Sequence, residues 1–259
     1  ILGTEREIVE MSPTKNKFSF VACYWSPFTI IKWMATKAIP SGGSGANVSA
    51  GYAFFENALG YNFIAYDDFA KKEYRKKMIV GYDEPELGEP DKSIIPISNM
   101  RVVHAGDILR GLNYGSYSSK FMTFDVKDMS YTEHSFNISK YYKDVPKMNG
   151  DVDLPTYFEK FEKTTAPTRI MSKIMDTALF TEGTMTQDST KQVAQSALRE
   201  KLFYSKEVEV EYVGDLDLYV GDTIELTTYK GREKTLDESN SGVYVVGQIE
   251  REFISSNDQ

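Results

Sequence analysis

The 259-residue sequence predicts a mixed α+β fold in which strands dominate and helices connect them, with chain order leaving open that the strands share one antiparallel barrel. Three observations carry this prediction. Glu207–Val213 alternates strictly, with Val208, Val210 and Tyr212 facing one way and Glu207, Glu209 and Glu211 the other, the mark of a half-buried strand. Ile224 and Leu226 alternate in the same way with Thr223, Glu225 and Thr227, and a further strand opening at Gly242 sets Val243, Val245, Ile249 and Phe253 on one face. Helical spacing stands beside these strands. After Trp25, Ser26 caps a helix, Pro27 takes its first position, and Ile30, Ile31, Met34, Ala35 and Ala38 follow on one face until Pro40 and the Ser41–Gly45 run stop it.

In chain order, Tyr52–Glu56 and Tyr61–Tyr66 form a hairpin about Asn57-Ala58-Leu59-Gly60. Asp67–Lys77 is a short charged helix leading into a strand near Met78–Val80, and the acidic, proline-containing stretch Tyr82–Asp91 is a loop. Asn99–Gly111 reads as a helix ended by its glycine. Ser119–Val126 and Tyr131–Tyr142 read as strands, Asp144–Asp153 as a break, Asp153–Lys163 as a short helix and Arg169–Asp176 as a strand. Ser189 and Gln192 form a capping box for a helix whose face carries Val193, Ala194, Ala197, Leu198 and Leu202. No fixed-period repeat is visible. Ile1 in place of Met, with no basic-then-apolar leader after it, is the start expected of a segment internal to a longer protein.

Composition narrows the function classes. A formal charge of −8 argues against a general nucleic-acid binder, which is normally basic. A single Cys excludes an internal disulfide and a cysteine zinc cluster. The apolar runs are too short for a bilayer, so no membrane insertion is expected. The 17 Tyr and 15 Phe suit sheet surfaces and subunit contacts.

Chemistry is sparse. His104 and His134 have no second His at helical spacing, so neither suggests a metal ligand. Cys23, in the apolar aromatic stretch Phe18–Trp25, reads as a small buried hydrophobe rather than a nucleophile. The Ser41–Gly45 run lacks the Lys-Ser/Thr of a phosphate loop and follows a helix instead of a strand, so it reads as a linker. Asp83, Glu84, Glu86 and Glu89 read as a solvated acidic loop. No nucleophile–base–oxyanion set emerges, so the expectation is no enzyme, no catalytic residue, no metal and no cofactor.

Two stretches together resemble the central baseplate hub protein of contractile-tailed bacteriophages. The first is YWSPFTIIKWMATKAIP followed by GYAFFENALGYNFIA, in which Phe54, Glu56, Gly60, Asn62 and Phe63 fit the family's hairpin. The second runs from STKQVAQSALREKLFY through EVEVEYVGDLDLYVGDTIELTTY to SGVYVVGQIEREF. There Leu218, Gly221, Asp222 and Ile224 fit an L-x-x-G-D-x-I turn, and Gly242, Tyr244, Val246, Ile249 and Glu250 or Arg251 fit the closing strand. The same closing pattern occurs in type six secretion spike proteins.

The resemblance implies β-barrel tube domains with helical and small β-sheet elaborations. Residues 1–98 would be a helix-plus-hairpin elaboration, with a first tube domain upstream of this chain. Residues 99–259 would be a tube domain with an insertion at about 144–188. It further implies a homotrimer joining the hexameric tail tube protein to the central spike protein, beside other baseplate proteins, in a virion assembled in the host cytoplasm. DNA would pass through without specific binding, and Glu207, Glu209, Glu211 and Glu225 would line the channel and keep it from adhering. The alternatives are a hub or spike component of a tailocin or type six secretion system, and an acidic-residue hydrolase.

Overall fold

The computed structural model describes residues 5–41, 51–80, 94–104, 113–115, 118–137, 146, 148–149, 169–175, 196, 200, 203–204, 206–230 and 235–253. The fold is mostly β-sheet with few helices, and one sheet forms a half-barrel. The first elements are β1 (Ile8–Met11), α1 (Pro27–Ala35), β2 (Tyr52–Glu56), β3 (Tyr61–Ala65) and α2 (Tyr66–Phe69). Then come β4 (Lys76–Val80), β5 (Ile94–His104), β6 (Ser118–Asp125), β7 (Ser130–Asn137) and β8 (Arg169–Met175). The last are β9 (Glu207–Tyr212), β10 (Thr223–Lys230), β11 (Thr235–Leu236) and β12 (Gly242–Val245). The chain interleaves two compact units. One holds Ile1–Phe55, Gly60–Lys71 and Val103–Glu207; the other holds Glu56–Leu59, Lys72–Val102 and Val208–Gln259.

In the first unit, Ser26 caps α1 as expected, its hydroxyl accepting from the Thr29 N–H at 3.3 Å with Pro27 in the first turn. The helix closes at Ala35, short of Pro40. Buried Asn16 then holds the descending chain, donating to the Lys37 carbonyl and accepting from the Ile39 N–H. The β2–β3 hairpin forms, and its four-residue link makes the pair antiparallel. β3 is the middle strand, with Ile64 and Ala65 wholly buried, and β1 pairs beside it in parallel. Sequence periodicity did not mark β1, whose four residues are all exposed. The charged helix expected over Asp67–Lys77 is the single turn α2.

A second sheet of this unit has the order β7–β6–β8, with β7 antiparallel and β8 parallel to β6. Ser119, Phe121 and Thr123 of β6 are its buried row. The three strands lie where the sequence predicts strands. Of the helix expected after Ser189, residues 196, 200 and 203 are described and are helical; the helix expected at Asp153–Lys163 and the acidic loop at 83–89 lie outside the described residues.

The second unit is built on the sheet β11–β10–β4–β5–β9, with β12 also on β10. β11 and β12 are antiparallel to β10 and share one of its edges, while β4 runs parallel to β10 on the other and β5 parallel to β4. The sheet is therefore mixed where antiparallel pairing throughout was expected. Parallel neighbours cannot be joined by a tight turn, and β4 ends at Val80 while β5 begins only at Ile94. Met78, Ile97, Leu218, Ile224 and Leu226 form the core, with Val208, Val210 and Tyr212 of β9 packed on it as the alternation predicts.

Two expectations are corrected here. Of the helix expected at Asn99–Gly111, Asn99–His104 is strand and 105–111 lie outside the described residues: β5 carries Ile94, Ile95, Ile97, Val102 and Val103 and sits between β4 and β9, where sheet pairing outweighs an ambiguous local pattern. In the closing strand the core side is Tyr244, Val246 and Ile249, not Val243, Val245 and Phe253. Ile224 pairs with Tyr244 and Glu225 with Val243, a one-residue difference that reverses the faces, and Phe253 is exposed.

Candidate functional site

The four carboxylates expected to line a channel lie on one side of the six-stranded sheet. Glu207, Glu209 and Glu211 are the exposed residues of β9, opposite the core-facing Val208, Val210 and Tyr212. Glu225 alternates with core residues Ile224 and Leu226, so it also faces away from the core. The arrangement continues through β5 by a local irregularity. Ile97 and Met100 both pack on the core although three residues apart, which a period of two does not allow. Between them the Ser98 hydroxyl donates to the Glu211 carbonyl at 2.8 Å. Asn99 and Arg101 both reach carboxylates of β9.

These carboxylates are accompanied by cations and an amide. Arg101 donates to Glu209 Oε2 through two nitrogens, at 2.6 and 3.1 Å. Asn99 Nδ2 approaches Glu211 Oε2 at 3.4 Å. These contacts climb β9 as they descend β5, so the two strands are antiparallel. Lys77 Nζ stands 3.2 Å from Glu225 Oε2, near enough for an ion pair but out of line for a hydrogen bond. The surroundings grade along the sheet. Side chains are 73% and 55% exposed at Arg101 and Glu209 but 38% and 31% at Lys77 and Glu225. Ile79, on the same side between Thr227 and Pro96, is buried. Glu207, Glu209 and Glu211 thus meet solvent, while Glu225 sits in a partly covered strip. Arg101 and Asn99 were not singled out in the sequence because that part of β5 read as a helix, and Lys77 because it read as the end of the charged helix Asp67–Lys77.

The turn Leu218–Ile224 is the most cross-tied part of the second unit. Leu218 and Ile224 are buried in the core. Asp222 closes the turn, its carboxylate accepting from the Tyr219 N–H and its own N–H donating to the Tyr219 carbonyl. Gly221 holds φ 91°, where a side chain is strained, and its N–H donates to the Val246 carbonyl. Arg251 donates to the Leu218 carbonyl at 2.7 Å, Asn57 to that of Val220, and the Arg75 guanidinium lies over the Tyr219 ring. Lys76 and the Asp217 N–H both hold the Asp215 carboxyl below its usual range, the backbone donor being the larger cause.

A second polar knot separates β11 from β12. Buried Asp237 accepts from Lys230, from the Ser239 hydroxyl and from Asn240. These donors hold its carboxyl far below the usual range, Lys230 being the largest cause. Thr228 and Ser241 complete the knot, which interrupts the strand so that β11 and β12 divide one edge of β10.

The remaining candidates resolve simply. Cys23 is exposed, not buried as expected, because Phe18, Phe20 and Trp25 turn inward onto Trp33 and leave it outside. His134 faces the Phe121 side of β6, and His104 ends β5. Among the described residues no three of His, Cys, Asp and Glu converge in a way that could hold a metal ion, and no helix is long and apolar enough to cross a membrane. No protein-family model and no curated protein matches the chain.

Proposed function

We propose that this chain is a structural subunit of a contractile-tail baseplate, the hub that joins the hexameric tail tube to the central spike as a trimer. The observation that carries the reading is the structural use made of the hub-like motif residues. In the L-x-x-G-D-x-I segment, Leu218 and Ile224 are core, Gly221 supplies a positive φ and Asp222 closes the turn. In the hairpin segment, Gly60 has φ 152° and Phe54 stacks on Tyr61. Residues that resemble the family's are thus ones this fold requires, which favours a shared fold unit over coincidence of composition.

In this reading the half-barrel belongs to a tube domain, and the barrel wall is completed in the assembled ring. The side bearing Glu207, Glu209, Glu211 and Glu225 faces the channel. Arg101 and Lys77 temper its charge, and the surplus of carboxylates disfavours adhesion of passing DNA. The subunit performs no chemistry; its work is to hold a ring open and match symmetries.

Electron microscopy of the purified full-length protein tests this. Three-fold rings with a central pore are expected, and particles without a pore or of another symmetry would overturn the reading. Within a virion, replacing Glu207, Glu209 and Glu211 by Lys is expected to slow genome ejection.

A further inference from the structure

Between Met11 and Phe55 the sequence holds Lys15, Lys17, Lys32 and Lys37 and no Asp or Glu. This stretch is formally +4 in a chain of −8, which leaves the remainder at −12. So complete a segregation of charge makes one surface attractive to the rest of another copy.

The same stretch is aromatic. Trp33 of α1 is surrounded by Phe20, Trp25 and Phe18, with ring centroids 4.9, 5.7 and 6.1 Å away. Lys37 Nζ stands 4.1 Å over the Trp33 ring, and burial lowers the pKa of its ammonium. Val21, Tyr24 and Phe28 are exposed, Tyr24 completely, and Trp25 of the cluster keeps 43% of its surface exposed. Tyr24 also holds φ 54°, a left-handed conformation that costs a non-glycine residue about 1 kcal/mol. The stretch thus combines large aromatics in solvent with exposed Lys15, Lys17 and Lys32, apolar area together with positive charge. Interface anchors are built in this way.

We infer that this cationic aromatic face docks onto the acidic surface of a second copy of this chain. Charge complementarity selects the occupant. The chain itself carries the acid, at a formal −12 outside this stretch. The contact joins unlike surfaces, so it is heterologous and propagates head to tail, closing into a ring where the rotation allows. The inference deepens the proposed function by naming a subunit contact, and rests on that reading for the order of the ring.

Sedimentation velocity of the full chain tests it, at low and high salt. The wild type is expected to self-associate, more weakly as salt rises. Two variants separate the parts of the face: Lys15→Glu/Lys17→Glu/Lys32→Glu, and Tyr24→Ser/Trp25→Ser. Each is expected to weaken association about tenfold or more. Circular dichroism checks that each folds, and if one does not, the other decides. A monomeric wild type, or association unchanged in a folded variant, overturns the inference. A monomer that binds a single-stranded oligonucleotide through Tyr24 and Trp25 overturns it in favour of nucleic acid. A trimer that survives both variants sinks this contact and leaves the hub reading standing. An oligomer of another order that both variants dissolve does the reverse.

Discussion

The six-stranded sheet and the β7–β6–β8 sheet each bury one side and present the other differently. On the first, the side away from the core carries Glu209 with Arg101 and Glu225 with Lys77. On the second, Phe124 lies between its register partners Tyr131 and Ile174, all three exposed. Ile170 lies beside Lys120 on the same side, and the Lys120–Glu133 ion pair is its charged feature. The Tyr131 hydroxyl donates to Glu133, which raises the pKa of the phenol. A charged outer side both announces a strand in the sequence and limits what can adhere to it. An apolar outer side does neither.

The strongest way to break the comparison is to empty the half-barrel core. Met78 and Leu226 are completely buried in one cluster. Leu226→Ala removes apolar contact and leaves a cavity, which typically costs about 2–5 kcal/mol. Urea unfolding of the second unit should move to a lower midpoint by that amount. A loss below about 1 kcal/mol would mean that the cluster relaxes around the gap and is not the unit's organising core.

The next effect tests the turn that feeds β10. Gly221→Ala forces a side chain onto φ 91° and is expected to cost about 1–2 kcal/mol without loss of buried apolar surface. Denaturant dependence should therefore keep its slope while the midpoint falls. Gly60 gives the matching test in the first unit. There a Cβ would stand 2.5 Å from the Glu7 carbonyl oxygen, a backbone atom on the approach to β1, so Gly60→Ala should displace β1 from β3.

Asp237 makes the comparison pH-dependent. Its carboxyl is held low by Lys230, Ser239 and Asn240, so the folded state favours the charged form. The contribution is complete above the ordinary carboxyl pKa of about 4 and disappears as pH falls through the depressed value. Thermal melts should show Asp237→Asn less stable than wild type at neutral pH, with the gap narrowing in strong acid. A gap independent of pH would assign the effect to lost hydrogen-bond geometry instead.

What was legible in the sequence follows from the same contrast. β9 and β10 were read correctly with their faces, because glutamates and threonines alternate with Val, Ile and Leu and the period is unambiguous. The β2–β3 hairpin and the Ser26 cap were legible for local reasons of turn and capping chemistry. β5 was not, since Met100, Val103 and His104 also suit a helical spacing, and Ile97 and Met100, three residues apart, both pack on the core against the strand period. β1 was too short to show a period. The four glutamates lie on one side of the sheet, and their partners were invisible in the sequence: Arg101 meets Glu209 across 108 positions of sequence, through a strand pairing that no local pattern encodes.

That pairing gives the smallest effect and the finest test. Arg101 and Glu209 are both well exposed, so Arg101→Ala should cost about 1 kcal/mol or less, reduced further by salt. Lys77→Ala should cost more, because Lys77 and Glu225 lie in the more covered strip beside buried Ile79 and the carboxylate would lose its cation away from bulk water. Double-mutant cycles of Arg101 with Glu209 and of Lys77 with Glu225, each at two salt concentrations, separate the pairs. The coupling between Lys77 and Glu225 should be the larger and the less sensitive to salt. Equal couplings that salt screens alike would mean that both pairs lie in open water and that the gradient along this side of the sheet has no energetic weight.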